Sequence, residues 1–242
     1  MKVLKSFVSM VLLAGATVAS AASDIDQLQN AIQSEFRLLS EDLGAALSYK
    51  LLSPAEPLGI TGFDIGVSAS ATSLENVTVL DRVTSSTSSV PSAIVVPRVQ
   101  AVKGLPFGID IGASYAAVPG SNVKLIGAEL KYAILSGSVA TPALAIRGSF
   151  TKLSGVDQLD FDTKGIDISI SKGFTVLTPY VGVGAVWVTS TPNNVLTLVE
   201  EKFRQNKFFG GINVNFGLFN MAFEGDKTGD AASYGAKFGL RF

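Results

Sequence analysis

Three near-copies of one short pattern place a carboxylate at the same point of each copy. The copies read GFDIGVS, GIDIGAS and GIDISIS, and their carboxylates are Asp64, Asp110 and Asp167. Carboxylates can act as general acid and base when they are paired, and they need cationic partners when they point into a closed interior. The chain has no His and no Cys, so it lacks the usual proton shuttle and the thiol nucleophile. No acid pair is singled out by spacing. We therefore predict that the protein is not an enzyme and needs no cofactor.

Each copy alternates large apolar residues with Asp, Gly or Ser, and this period of two indicates a β-strand. The alternation begins near residue 58 and continues to the C-terminus. The polar faces carry mainly Gly, Ser and Asn, which suit a narrow lumen, and aromatic residues near strand ends suit girdles at the two lipid interfaces. Those aromatic residues are Tyr115, Tyr132, Trp187, Tyr234 and Phe242. We predict an all-β fold, an antiparallel transmembrane β-barrel of about ten strands, with twelve strands as the alternative. A soluble β-sandwich is the competing interpretation.

Charged residues on the polar faces would point into the lumen of such a barrel. Acids and bases are matched in number there, which predicts ion pairs, because a buried charge without a partner is costly. A polar path or binding site for a solute is the alternative interpretation. The predicted lumen charge network consists of Asp64, Arg98, Asp110, Glu129, Lys131, Arg147, Asp167, Glu224, Lys237 and Arg241.

The first 57 residues do not follow the strand pattern. Lys2 and Lys5, an apolar stretch and the small residues 19–21 predict a signal peptide over residues 1–22. Apolar residues then recur every three or four positions from Asp24 to about Leu43, which predicts an amphipathic helix. This stripe consists of Ile25, Leu28, Ile32, Phe36 and Leu39. We expect residues 23–57 to lie in the lumen or at the periplasmic mouth of a barrel formed by residues 58–242. Packing on a periplasmic partner outside the barrel is the alternative.

The C-terminal stretch YGAKFGLRF, residues 234–242, resembles the closing strand of bacterial outer-membrane β-barrel proteins. The resemblance implies export to the outer membrane of a Gram-negative bacterium, contact with outer-membrane lipid, and insertion by the barrel assembly machinery. Tyr234, Phe238, Leu240 and Phe242 would carry the assembly signal. Residues 43–48 and 53–56 also resemble the N-terminal hatch of the long-chain fatty acid transporter family, whose barrels are larger than the one predicted here.

Both chain ends of a bacterial barrel face the periplasm, and its longer loops face outward. Counting back from Phe242 predicts short inner connections at 136–138 and 172–174. It predicts outer loops at residues 74–90, 118–121, 153–157, 189–206 and 225–229.

The sequence offers no clear metal or nucleic-acid site. Asp157, Asp160 and Asp162 can supply oxygen ligands to Ca²⁺, but their spacing is not that of a calcium loop, so no metal site is predicted. The net charge of -1 and the lack of a basic block argue against nucleic-acid binding. The leading functional prediction is a narrow or plugged pore that binds or passes small solutes. The alternative is a structural or surface-interaction barrel that acts through its outer loops.

Overall fold

The computed structural model describes residues 27–83, 92–117 and 123–242, so the predicted signal peptide and Ile25 lie outside the described residues. Two α-helices precede or interrupt the strands: α1 (Gln33–Leu47) and α2 (Val77–Val83). Short 3-10 turns occupy Leu28–Asn30 and Pro106–Gly108. The strands are β1 (Phe63–Ser73), β2 (Ala93–Gly104), β3 (Ile109–Ala117), β4 (Lys124–Ser136), β5 (Ala143–Ser154), β6 (Leu159–Ser171), β7 (Leu177–Pro192), β8 (Glu201–Phe216), β9 (Phe219–Thr228) and β10 (Ala231–Arg241).

The strands form one closed antiparallel barrel in which each strand pairs with its sequence neighbours and β1 pairs with β10. The prediction of a barrel of about ten strands with an N-terminal helix is confirmed. Backbone hydrogen bonds of 2.9 and 3.0 Å between Phe63 and Phe242 complete the seam, and their rings stack with centroids 5.9 Å apart. We call the end of the barrel that contains Phe63 and Phe242 the terminus rim, and the opposite end the loop rim.

Several strands extend further towards the loop rim than the sequence pattern predicted. β7 and β8 leave only residues 193–200 between them, and β9 continues to Thr228, so the predicted loops 189–206 and 225–229 are mostly strand. The predicted loop 74–90 contains α2, and its residues 84–90 lie outside the described part of the chain, as does the predicted loop 118–121. At the terminus rim the connections are 137–142 and 172–176, somewhat longer than predicted. Alternating Thr, Ser and charged residues at strand ends resemble loops by composition, which explains the shortened predictions.

The N-terminal helix begins later and ends later than predicted. Leu28, Phe36 and Leu39 are buried, but Ile32 is 64% exposed, so its place in the predicted stripe is wrong. Ile32 is the residue before the first helical turn, with extended backbone, and therefore does not follow the helical period. Gly44 does not end the helix. It allows α1 to approach the wall, because a Cβ atom there would lie 2.7 Å from Val188 and 2.6 Å from Gln205.

The barrel is polar inside and apolar outside. Large apolar residues such as Ile126, Leu130 and Val181 are more than half exposed on the outer surface, whereas Asp110, Arg98 and Lys237 are buried in the interior. Among the described residues, neither helix has the length and hydropathy needed to cross a bilayer.

Candidate functional site: the barrel lumen

Residues 33–58, which we call the lumen segment, run through the interior from one rim to the other. Just before it, at the loop rim, the Leu28 N–H donates to Gln158 Oε1 at 3.0 Å. At the terminus rim, the Leu58 N–H donates to Asp110 Oδ1 at 3.1 Å. Residues 42–55 are all buried between these points. The chain therefore fills its own barrel with α1 in the loop-rim half and an extended strand-free stretch in the other half.

The loop-rim half of the lumen is apolar. Phe36, Leu39 and Leu43 of α1 belong to one buried cluster with wall residues that include Val188 and Leu159. Burial of a large apolar side chain contributes about 1.5–3 kcal/mol, so this contact holds α1 firmly in place. The buried Ser40 hydroxyl adds a polar contact, 2.8 Å from the Ser190 hydroxyl on β7.

Polar side chains on α1 also connect it to the loops around the loop rim. Arg37 pairs with Glu201 at 3.2 Å, and Glu35 pairs with Arg82 of α2. The carboxylate of Asp42 accepts the Asn76 N–H at 2.9 Å. These contacts join α1 and the β1–β2 connection into one surface.

In the terminus-rim half, cations on the wall bind backbone carbonyls of the lumen segment. Arg98 donates to the carbonyl of Ala46 at 3.1 Å, and Lys207 donates to that of Tyr49 at 3.2 Å. Lys131 donates to two further carbonyls, those of Pro54 at 3.1 Å and Glu56 at 3.0 Å. Hydrogen bonds to charged groups contribute about 1.5–3 kcal/mol each. The wall thus supplies hydrogen-bond donors to these carbonyls, because the irregular backbone of this half does not pair them as a helix or a sheet would.

The three carboxylates of the sequence repeat each meet a cation on the adjacent strand. Asp110 pairs with Lys131 at 3.0 Å, and Asp167 pairs with Arg147 at 2.8 Å. Asp64 pairs with two cations, Lys237 at 2.7 Å and Arg241 at 3.5 Å. The repeat therefore places one anionic group of an interstrand ion pair at three points around the wall.

Three members of the predicted network have a different environment. Arg98 has no acidic partner within 4 Å among the described residues and instead binds the Ser70 hydroxyl at 2.7 Å. Glu224 accepts a hydrogen bond from the Tyr180 hydroxyl at 2.9 Å. Glu129 lies 3.7 Å from Arg147, yet neither of its carboxylate oxygens has a hydrogen-bond partner in the described structure.

Sequence reasoning missed Lys50, Lys207 and Asp226, all of which are buried in the lumen. Lys50 on the lumen segment pairs with Asp226 of β9 at 2.6 Å. Asp226 fell in the predicted loop 225–229, and Lys207 lay just beyond the predicted loop 189–206, because β8 and β9 were predicted too short. The alternation of Gln205, Lys207 and Phe209 was the available signal. Lys50 lies outside any periodic pattern, so no feature of the sequence indicated that it is buried in the lumen.

Within the described ranges, no group of three or more acidic residues is arranged to hold a metal ion. The lumen is lined by ion pairs and carbonyl contacts that surround the lumen segment of the same chain. Its geometry positions the lumen segment rather than a reacting substrate.

No protein-family model matches the chain, and no curated protein matches it. Among solved structures, the N-terminal β-barrel domain of Pseudomonas aeruginosa OprF is 13% identical, with a TM-score of 0.38, over 73% of this chain and 97% of that one. The KdgM porin is 9% identical, with a TM-score of 0.37, over 74% and 99% of the two chains. Ail, the attachment invasion locus protein of Yersinia pestis, is 12% identical, with a TM-score of 0.30, over 75% and 98%.

At these identities and scores the likenesses carry no functional conclusion for this chain. Nothing in them bears on the likeness of residues 43–48 and 53–56 to the long-chain fatty acid transporter family, which stays a prediction.

Proposed function

We propose that the protein is an integral barrel of the bacterial outer membrane. The supporting observation is the reversed polarity of the barrel, with apolar side chains exposed around the outside and charged ones buried inside. An exposed apolar surface that surrounds a closed barrel is unfavourable in water and favourable in a bilayer. Aromatic residues near both rims support the same placement: Tyr115, Phe150, Trp187, Phe208 and Tyr234 towards the loop rim, and Tyr132, Phe216, Phe219 and Phe242 towards the terminus rim.

We orient the terminus rim towards the periplasm and the loop rim outward, because bacterial barrels have short periplasmic turns and longer outer loops, and the longest connections, 74–92 and 193–200, lie at the loop rim. The lumen segment then begins at the outer mouth and descends to the periplasmic mouth. The extracellular end of the protein consists of the start of α1, α2 and the loops that they contact.

The protein acts, in this proposal, as a closed barrel whose working surface is its outer end. The observation that carries the proposal is the continuous occupation of the lumen by residues 33–58, fixed at both rims and along the wall. Displacement of this segment would leave Asp226 of the wall without its Lys50 partner and would remove the carbonyl acceptors of Arg98 and Lys131, which opposes it. A surface-interaction role fits a lumen that its own chain keeps filled.

Passage of small solutes is the second candidate, and one observation favours it. The carboxylate oxygens of Glu129 and one oxygen of Asp167 have no hydrogen-bond partner among the described residues. Asp167 lines a polar gap beside Tyr49 and Lys207 that is too small for a water molecule in this structure. Polar groups in this state can bind water or a small polar solute if the lumen segment moves.

One experiment separates the two candidates. Ser40→Cys/Ser190→Cys replaces two hydroxyls that lie 2.8 Å apart, in a chain with no other Cys, so a disulfide would lock α1 to β7. Single-channel conductance is measured in planar bilayers for the oxidised and reduced forms and for the wild-type chain. The closed-barrel proposal expects no discrete channels in any sample. Channels in the wild-type and reduced forms that vanish on oxidation would contradict it and support passage of solutes.

A further inference from the structure

The outer surface of β8, β9 and β10 contains a groove of about 370 Å³ near the loop rim. Its walls are the rings of Phe208 and Tyr234, which are 58% and 72% exposed. Gly210 and Gly225 form its floor and lie directly opposite each other in the strand register. The groove is therefore an open, mostly apolar depression on the face that the proposed orientation turns towards lipid.

The glycine floor creates the groove because neither strand fills it with a side chain. A Cβ atom at Gly225 would lie 3.6 Å from the Tyr234 ring, an ordinary van der Waals contact, so the position can accept a side chain. Both glycines have ordinary backbone dihedral angles, since neither is among the glycines with positive φ. Turn geometry thus does not explain them.

A cation lies at the loop-rim end of the groove. Lys227 of β9 is opposite Phe208 of β8 and Ala232 of β10, and its side chain is exposed on the same outer face. Among the described residues it has no ion pair or hydrogen bond. By contrast, the outward Lys103 and Lys172 at the terminus rim bind turn carbonyls, with Nζ–O distances of 2.9 and 3.0 Å to Gly62 and Ser138.

Further basic residues extend this positive surface around the barrel. Arg204 lies on the same face of β8 as Phe208, about 13 Å along the strand at roughly 3.3 Å per residue. Its guanidinium lies 5.7 Å from the Trp187 ring centroid, and Lys164 is opposite Trp187 on the other side. Two acids lie nearby, Asp162 and Glu200, and Glu200 pairs with Lys202. Asp230 in the β9–β10 turn is the acid next to the groove.

We propose that the groove binds one acyl chain of a phosphorylated lipid of the outer leaflet and that Lys227 binds the phosphate of that lipid. The apolar walls and glycine floor match an acyl chain, and the unpaired ammonium at the membrane-interface end matches an anionic headgroup. Arg204 provides a second cation for a headgroup with more than one phosphate. Lipid recognition at this site is independent of whether the lumen is open or closed.

The test measures lipid retention by the purified, detergent-solubilised full chain with native mass spectrometry. The probes are diphosphorylated lipid A, whose headgroup has a net negative charge, and a phosphatidylcholine with saturated chains, whose single phosphate is neutralised by its own choline cation. The variants are Lys227→Gln, which removes the cation, and Gly225→Leu, which fills the groove. Lys124→Gln is the matched control, because Lys124 is also an exposed lysine near the loop rim but lies on β4, on the far side of the barrel.

We expect the wild-type chain to retain lipid A about tenfold better than phosphatidylcholine, since hydrogen bonds to charged groups have this magnitude. Lys227→Gln should abolish most of that preference, Gly225→Leu should lower retention of both lipids, and Lys124→Gln should change neither. Heat-modifiable migration on gels verifies folding, and Ala232→Leu replaces Gly225→Leu if the latter does not fold. Equal retention of both lipids by the wild-type chain, or equal effects of Lys227→Gln and Lys124→Gln, would overturn the proposal.

Discussion

The Nζ atom of Lys50 lies 2.6 Å from Oδ1 of Asp226, and both side chains are shielded from solvent inside the barrel. Lys50 belongs to the lumen segment and Asp226 to the wall, so this ion pair joins the occupant to the barrel. Lys50 also donates to the Ser233 hydroxyl at 3.1 Å, and the Thr228 hydroxyl donates to Asp226 at 3.0 Å. The pair is therefore the centre of a buried polar cluster at the point where α1 has ended.

Removal of Lys50 alone should destabilise the protein more than removal of both charges. Lys50→Met leaves the Asp226 carboxylate without its partner, and the free energy of unfolding should fall by about 3 kcal/mol. Lys50→Met/Asp226→Asn should lose less, because the carboxylate that Lys50→Met leaves without its partner is removed as well. Urea unfolding in lipid vesicles, followed by the fluorescence of Trp187, the sole Trp in the chain, measures both. Lys164→Gln on the outer face is the control. A double variant as unstable as Lys50→Met would contradict this role of the pair.

The two faces of the wall should respond differently to substitution. Val183 is 47% exposed on the outer face of β7, and Val183→Arg would place a charge in the hydrocarbon, at a cost of about 2–4 kcal/mol. Ser169 of β6 faces the lumen, and Ser169→Thr should cost far less. Folding titrations in vesicles give both values. Equal costs would mean that lipid does not surround this barrel.

The terminal aromatic residue should matter for assembly. Phe242 closes the seam with Phe63 through backbone hydrogen bonds of 2.9 and 3.0 Å and a stacked ring. Phe242→Ser keeps the backbone bonds but removes the ring that the proposed assembly signal requires. We expect less heat-modifiable protein in the outer membrane and more protease-sensitive protein in the periplasm. Phe174→Ser, which alters an exposed ring at the same rim, is the control, and unchanged membrane levels for Phe242→Ser would count against the signal.

The strand pattern of the wall could be predicted from sequence because one physical constraint repeats along it. Alternation of apolar and polar residues assigned Asp64, Asp110 and Asp167 to the interior, and the structure buries all three. Strand ends could not be predicted as well. Near the loop rim the outward face becomes charged, as at Lys202 and Arg204, so the contrast between the faces disappears while the backbone pairing continues.

The contacts of the lumen segment could not be predicted from the sequence, for a different reason. Lys131 and Arg98 were both predicted to pair with acids. Lys131 pairs with Asp110 and also binds carbonyls of the lumen segment, whereas Arg98 binds carbonyls in place of an acid. A backbone carbonyl is present at every residue, so the residue types do not indicate these contacts. Lys50 is in an irregular stretch where no period applies. The path of residues 48–58 depends on tertiary contacts with many strands, which no local pattern encodes.

The central claim is that the N-terminal segment traverses the lumen, with its start at the outer mouth. Asn30 is exposed at the loop rim, Leu196 is exposed in the β7–β8 loop at the same rim, and Val139 is exposed at the terminus rim. The native chain has no Cys, so Asn30→Cys, Leu196→Cys and Val139→Cys each give a single thiol. Intact cells are treated with a membrane-impermeant maleimide, and labelling is compared with that of permeabilised cells. We predict that Asn30→Cys and Leu196→Cys are labelled in intact cells and that Val139→Cys is labelled only after permeabilisation. Labelling of Asn30→Cys only after permeabilisation, together with Val139→Cys, would contradict the account.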